Sequence, residues 1–287
     1  MRPEDPPPAS PAKRTGTRNQ ALRPFANPTF RYWLLIAPAL LAMAAFYFYP
    51  ISHVLWMSVT LPEPGISNFE SLARSRSVQR MLWTTLRIAV LSTVISLFLA
   101  YFVAYVIASV DERRQRLLFM GVVVSLWISV LARAFSWFAL LRNDGLINQA
   151  LIWMGLIERP LPMMWNEFAV LVGMVHYMLP LAILPLYSSM QSIDPRLVAA
   201  ARGLGASRMT AFWRIWFPLT LPGVFAASIL VFIYSLGFYV TPALLGGGKK
   251  MMIAEYIKVQ ILDVVNWGLG SALATLLRPL LQPIQRI

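Results

Sequence analysis

"SIDPRLVAAARGLGASRMTAFWRIWFPLTLPG" (Ser192–Gly223) lies between two long apolar stretches, and it is basic, with Asp194 its only acid. Asp194-Pro195 marks a helix start, since Asp caps free N–H groups and Pro fits the first helical position. "RLVAAAR" continues that helix through Ala199, Ala200 and Ala201, and Gly203 and Gly205 then break it. Ser207 caps a second helix, in which Met209, Phe212, Trp213, Trp216 and Phe217 form one stripe at i, i+3, i+4, i+7 and i+8. Pro218 and Pro222 are expected to end the segment before the next apolar run. This is a helix–turn–helix laid against one end of a bundle, with Gly203, Gly205 and Ala206 forming an exposed turn. Interfacial helices with Arg and Trp also serve as simple lipid anchors. A flat turn of small residues suits insertion into a cleft on another protein better than anchoring.

The flanking runs decide what the segment is attached to. The chain has 287 residues, 58% hydrophobic and 13% charged, with a mean hydropathy of +0.62. A soluble domain carries about 25% charged residues. Apolar stretches long enough for a hydrocarbon core of about 30 Å recur at 32–59, 82–109, 117–141, 168–190 and 222–245, and a shorter one starts near Trp267. The expected fold is all-α: a polytopic transmembrane bundle of five clear spans plus an incomplete sixth. Residues 1–30, rich in Pro and Arg, read as a disordered tail; 31–277 form the transmembrane domain, with the quoted loop at 191–221.

Charge gives the orientation. Of the 25 Lys and Arg residues, thirteen fall in the tail, in Arg113–Arg116 and in the quoted loop. Eight are spread over the opposite set of loops (Arg74, Arg76, Arg80, Arg142, Arg159, Lys249, Lys250 and Lys258). Lys and Arg accumulate on the cytoplasmic side, so the N-terminus and the quoted loop are expected inside. The same placement accounts for the net charge of +13 and disposes of a nucleic-acid partner. Between the third and fourth spans, Leu146, Ile147, Ala150, Leu151 and Met154 have helical spacing and predict an amphipathic helix on the outer face.

Chemistry is excluded more firmly than it is assigned. With no cysteine and only His53 and His176, no metal site is expected. No nucleophile–base constellation is visible, so no catalytic residue is assigned and the chain is read as a non-enzyme. "LLGGGKKM" lacks P-loop spacing, so ATP is not expected on this chain. Candidates for a translocation path are the charged and aromatic residues within spans: Arg133, Trp137, His176, Tyr177 and Tyr239. Arg133 either snorkels to the interface or lines an outer gate. His176 and Tyr177 are either packed in a Pro-bent helix or face the path.

"DPRLVAAARGLGAS…FWRIWFPLTLPG" resembles the cytoplasmic coupling loop of ABC-importer permeases, the inner-membrane components of binding-protein-dependent transport systems. That pattern is Glu-Ala-Ala, three residues, Gly, nine residues, Ile-x-Leu-Pro. Ala199, Ala200 and Ala201 take the Glu-Ala-Ala positions, Gly205 the Gly, Ile215 the Ile, Phe217 the Leu and Pro218 the Pro. Ala199 in place of Glu removes one ion pair to an ATPase and leaves contact through shape and apolar surface. The resemblance spans about residues 32–275. "SLWISVLARAFSWFALLRNDGLIN" and "VFIYSLGFYVTPALLGG" are similar to the spermidine/putrescine-type branch. It implies a second permease, two ATP-binding subunits holding ATP and Mg, and a periplasmic solute-binding protein. An ion-gradient-driven transporter is the rival, and it calls for mid-span acids, of which the sequence has none.

The C-terminus departs from that pattern. The apolar run from Trp267 to Leu277 is followed by Arg278-Pro279 and Pro283. Residues 278–287 are therefore expected not to complete a native sixth span, as though the chain were truncated or its reading frame altered there. The expected consequence is an exposed groove and reduced stability, with an inactive truncated permease as the alternative.

Overall fold

The computed structural model describes residues 28–281, with side chains from 32 to 277. It consists of helices and turns and divides into two units, the first ending at His53. That unit holds α1 (Pro28–Met43), a π-helical turn (Ala44–Phe48) and the start of α2 (Tyr49–Thr60). Its large apolar side chains, Trp33, Leu35, Leu41 and Phe46 among them, are exposed, as expected of a segment solvated by lipid. Helix begins at Pro28, so three residues expected in the tail are helical; residues 1–27 lie outside the described residues.

In the second unit, α3 (Ser67–Arg74) precedes α4 (Arg76–Ser109), α5 (Glu112–Leu126) and α6 (Val130–Leu141). Then come α7 (Leu146–Trp153), α8 (Glu167–Gln191), α9 (Pro195–Gly203) and α10 (Arg208–Ala211). The last four are α11 (Phe217–Leu236), α12 (Val240–Gly246), α13 (Ile253–Lys258) and α14 (Trp267–Leu281). Among the described residues four helices are long and apolar enough to cross a membrane, five if the bent α5–α6 pair counts as one.

The core is the trio α4, α8 and α11. Ala100 and Ala104 on α4, Ala182 on α8 and Ala227 on α11 are fully buried. Small residues let helix backbones approach where lipid removes the hydrophobic drive between helices. Gly223 shows how close the approach is: a Cβ there would strike the Ser189 side chain. Two hydroxyl pairs tie the trio together, Ser92–Ser235 at 3.2 Å and Tyr101–Thr220 at 3.1 Å. A second cluster joins Ile88, Leu141, Val170, Met174, Leu245 and Met252. A third packs α3 and the start of α4 against α13 and α14.

Three expectations need correction. The third span is not continuous: the arms Glu112–Leu126 and Val130–Trp153 are bent by 91°. Trp127 and Ile128 N–H donate to the i−3 carbonyls of Val124 and Ser125, which tightens the last turn, and Ser129 then turns extended (ψ 136°). The fifth span ends at Leu236 rather than 245, because Gly237 closes the helix and α12 starts afresh at Val240. Pro218 and Pro222 do not end the loop segment, since helix runs unbroken from Arg208 to Leu236. A π turn at Phe212–Trp216 moves the Phe217 N–H onto the Phe212 carbonyl. That shift of hydrogen-bond register immediately precedes Pro218, which has no N–H to give.

At the C-terminus α14 continues to Leu281, four residues past the expected stop, for a length of about 22 Å. Residues 282–287 lie outside the described residues.

Candidate functional site

Two places collect the residues singled out from sequence. The first is part-way along α8, where two broken helices meet this unbroken one. His176 and Tyr177 sit about 14 Å along α8 from its Asn166-capped start. Arg133 stands one turn past the α5–α6 break, its Cζ 5.4 Å from the centroid of the Tyr177 ring. Phe238, in the break between α11 and α12, packs on the same tyrosine at 4.8 Å. Trp137, one turn beyond Arg133, donates its indole N–H to His176 Nδ1 at 2.9 Å. Four of the five candidate path residues thus form one cluster. Tyr239 stands half-exposed at the start of α12, and it is the neighbouring Phe238 that reaches Tyr177.

Arg133 does not snorkel. It is only 5% exposed, and among the described residues Nε, Nη1 and Nη2 have no hydrogen-bond partner. A charged side chain at mid-membrane costs about 2.5–3.5 kcal/mol on insertion scales, and a desolvated cation–π contact returns about 2 kcal/mol. The pairing with Tyr177 therefore offsets much of the cost, and the residual favours a partner the cluster does not contain.

The second place is the loop at 191–221. Asp194 Oδ1 accepts from the Arg196 N–H at 2.9 Å and Ser207 Oγ from the Thr210 N–H at 3.1 Å, capping the two helices. Gly203 is the last residue of α9, and Gly205 makes the turn with φ +90°. Phe212 packs edge-on against Tyr101 and Tyr105, and Trp216 against Tyr105, at 5.7–6.5 Å between centroids. Met209 and Trp213 remain exposed, so only part of the stripe is used for packing. Along α9 and into its C-cap, Leu197, Ala200 and Leu204 fall at i, i+3 and i+7 and are all exposed, Leu204 at 90%. Ala199 is exposed, Ala201, Ala206 and Ile215 are half-buried, and Pro218 faces outward. No Cβ placed on Gly203 or Gly205 meets any atom within 4 Å.

The description "binding-protein-dependent transport system inner membrane component" belongs to a family whose model matches residues 94–277, which contain both places. The chain belongs to this family. It is the permease subunit of an ABC importer, of the polyamine branch by sequence. The permease is 36% identical over 192 residues to the spermidine/putrescine transport system permease protein PotB of Salmonella typhimurium (strain SL1344), covering 67% of each chain. Against PotB of Escherichia coli (strain K12) the identity is again 36% over 192 residues, 67% of this chain and 70% of the other. Against PotB of Haemophilus influenzae it is 33% over 209 residues, 73% of each. The fold is that of a chain in the crystal structure of a bacterial ABC transporter involved in the import of the acidic polysaccharide alginate. The TM-score is 0.71 at 20% identity, covering 88% of the permease and 93% of that chain.

Sequence reasoning missed several residues that the structure sets apart by contact, exposure or burial. Phe238 and Leu204 read as ordinary apolar positions. Asn148 read as part of an amphipathic surface helix, yet it is fully buried. Its amide donates to the Arg142 and Leu161 carbonyls at 3.1 Å and accepts from the Leu161 N–H at 2.8 Å, locking the 142–161 loop. Glu167, in the first turn of α8, pairs with Arg87 on α4 and lies 3.8 Å from Lys250. Glu255, third in α13, is 7% exposed, and among the described residues its Oε2 has no partner. Burial raises its carboxyl pKa; the Met252 N–H and the Lys258 charge oppose the shift.

Proposed function

We infer that the permease carries polyamines, spermidine or putrescine, inward across a bacterial inner membrane. The observation that carries this reading is the 36% identity to PotB across two thirds of both chains. The permease pairs with a second permease, takes solute from a periplasmic binding protein, and is driven by two ATP-binding subunits that hold ATP and Mg. A solved relative of the same fold is described in complex with a solute-bound periplasmic protein. The N-terminus and the 191–221 loop face the cytoplasm, following the Lys/Arg bias.

Coupling runs through α9 and its turn. Asp194, Ala199, Ala200, Ala201, Gly203, Gly205, Ala206, Ile215 and Pro218 form or support the docking surface, and Leu204 is its apolar tip. The absence of a side chain at Gly203 and Gly205 leaves room for close approach. Ala199 removes an ion pair, so apolar contact by Leu197, Ala200 and Leu204 replaces it. Closure of the ATPases then moves α9 and α10, and the continuous helix from Arg208 to Leu236 carries that motion to the break beside Phe238.

At mid-depth, Arg133, Trp137, His176 and Tyr177 line the path, with Tyr239 beside it. Aromatic faces attract ammonium groups, while the buried guanidinium repels them. In the resting state Arg133 holds the Tyr177 face and excludes small cations, in the way a pore arginine does. The arriving solute, delivered as a polycation at high local concentration, takes that face when the broken helices separate. Uptake of labelled spermidine by the assembled importer in vesicles tests the reading. Uptake that needs ATP, the binding protein and both permeases supports it. Uptake that persists without ATP and collapses with the proton gradient contradicts it.

A further inference from the structure

The face of α9 opposite its exposed stripe has a different character. Pro195, Val198 and Arg202, at i, i+3 and i+7, turn toward the end of α4 and line a groove of about 430 Å³. Tyr105, Ala108 and Ser109 form its α4 wall, and Arg208, Phe212 and Trp216 close it from the other side. The walls are aromatic and aliphatic, while the polar side-chain groups are two guanidinium groups, the Tyr105 and Ser109 hydroxyls and the Trp216 indole N–H, which has no partner among the described residues. The Ser109 hydroxyl donates to the Tyr105 carbonyl at 2.7 Å, which leaves its oxygen free to accept only. Among the described residues neither Arg202 nor Arg208 lies within ion-pair distance of a carboxylate, whereas Arg114 and Arg116 on the same face pair with Asp111 and Glu112.

We propose that this groove binds the phosphate of an anionic phospholipid, with Arg202 and Arg208 on the phosphodiester and the acyl chains along Tyr105, Phe212 and Trp216. Three features select that occupant. Two guanidinium groups without a carboxylate partner line one groove and favour an anion there, and they repel the polycation assigned to the transport path. A free phosphate would engage the rim and leave the apolar walls wetted; a lipid covers both. The groove also opens where α4 ends, at the end of the bundle that the Lys/Arg bias assigns to the cytoplasm, and basic pockets between helices on that side hold anionic headgroups. A docked ATPase meets the opposite stripe of α9, Leu197, Ala200 and Leu204, so both partners are accommodated at once. The lipid thereby props α9 against α4 from behind the coupling surface. The assignment rests on the importer reading of the chain and is independent of the solute.

The test is native mass spectrometry of the purified full-length permease, titrated with phosphatidylglycerol or with phosphatidylcholine of the same acyl chains. Two arginines at a headgroup are expected to favour the anionic lipid roughly 30-fold. Arg202→Gln with Arg208→Gln should bring that ratio close to one. Arg113→Gln with Arg114→Gln, on the same basic face but outside the groove, should leave it unchanged. Val198→Trp keeps both charges and fills the groove, and it should abolish selective retention in a variant that melts with the parent. Equal retention of the two lipids, equal loss in the Arg113/Arg114 variant, or full retention by Val198→Trp overturns the groove. Displacement of the lipid by millimolar inorganic phosphate overturns the lipid assignment in favour of a soluble phosphate.

Discussion

Trp137 on α6 donates its indole N–H to Nδ1 of His176 on α8 at 2.9 Å, and this bond clamps the bent third span to the helix at the centre of the bundle. Nδ1 accepts only when it carries no proton, so the bond holds His176 as the neutral tautomer with its proton on Nε2. The rings meet edge to face, 5.8 Å between centroids. A double-mutant cycle of Trp137→Phe and His176→Phe, read by thermal unfolding, should return a coupling of about 0.5–1.5 kcal/mol. Additive losses would mean that the two side chains do not interact.

Arg133 is expected to separate stability from function. Its charge is buried with no hydrogen-bond partner among the described residues, so Arg133→Met, an apolar replacement of similar length, should unfold at the same or a higher temperature. The same variant should leak small cations through the assembled importer, measured as dye-reported potassium flux in vesicles without ATP. A strongly destabilised, tight variant would place Arg133 in the scaffold and remove it from the path.

The coupling surface is best tested at Gly203 and Leu204. Gly205 has φ +90°, so any substitution there also strains the turn. Gly203 is helical and its side is open. Gly203→Trp should insert and melt normally while ATPase stimulation and uptake fall to background, and Leu204→Asp should do the same. Normal uptake by both variants would move the docking surface elsewhere.

Glu255 predicts a pH dependence outside the spans. Its pKa is raised in the folded state by burial, so the folded protein binds the proton more tightly than the unfolded chain. Its contribution to stability is therefore complete below the unfolded carboxyl pKa and is lost as pH rises through the folded value. Glu255→Gln keeps the acceptor for the Met252 N–H and removes the titration. The melting temperature of the variant should fall less between acidic and neutral pH than that of the parent. Parallel curves would show that Glu255 does not titrate differently on folding.

Topology can be read with single cysteines in a chain that has none. Asn148, an obvious choice from its place in the loop expected outside, is fully buried and unsuitable, whereas Asn143 and Leu204 are exposed. An impermeant thiol reagent should label Asn143→Cys in intact cells and Leu204→Cys only after lysis. The opposite pattern would invert the orientation.

The spans were legible in the sequence because hydropathy over about 20 residues dominates any local preference. The loop was legible because Asp194, Ser207 and Gly205 each fix backbone geometry through their own chemistry. The breaks at 127–129 and 237–239 were not, since Trp127, Ile128, Phe238 and Tyr239 prolong the apolar runs across them. Pro218 misled for a related reason: a proline stops a helix unless the preceding turn shifts its bonds, and nothing in "FWRIWFP" announces a π turn. Arg133, Trp137, His176 and Tyr177 could be named individually as unusual within spans. Their meeting depended on the 91° bend, which only the structure supplies.

The central claim is that the chain is the permease of an ATP-driven polyamine importer. Its most direct measurement is uptake of labelled spermidine into vesicles holding this chain with its partner permease, ATPase subunits and binding protein. The account predicts uptake with ATP inside, stimulation of ATP hydrolysis by loaded binding protein, and loss of both with Gly203→Trp. Stimulated hydrolysis without spermidine uptake, or spermidine uptake unaffected by Gly203→Trp, would contradict it.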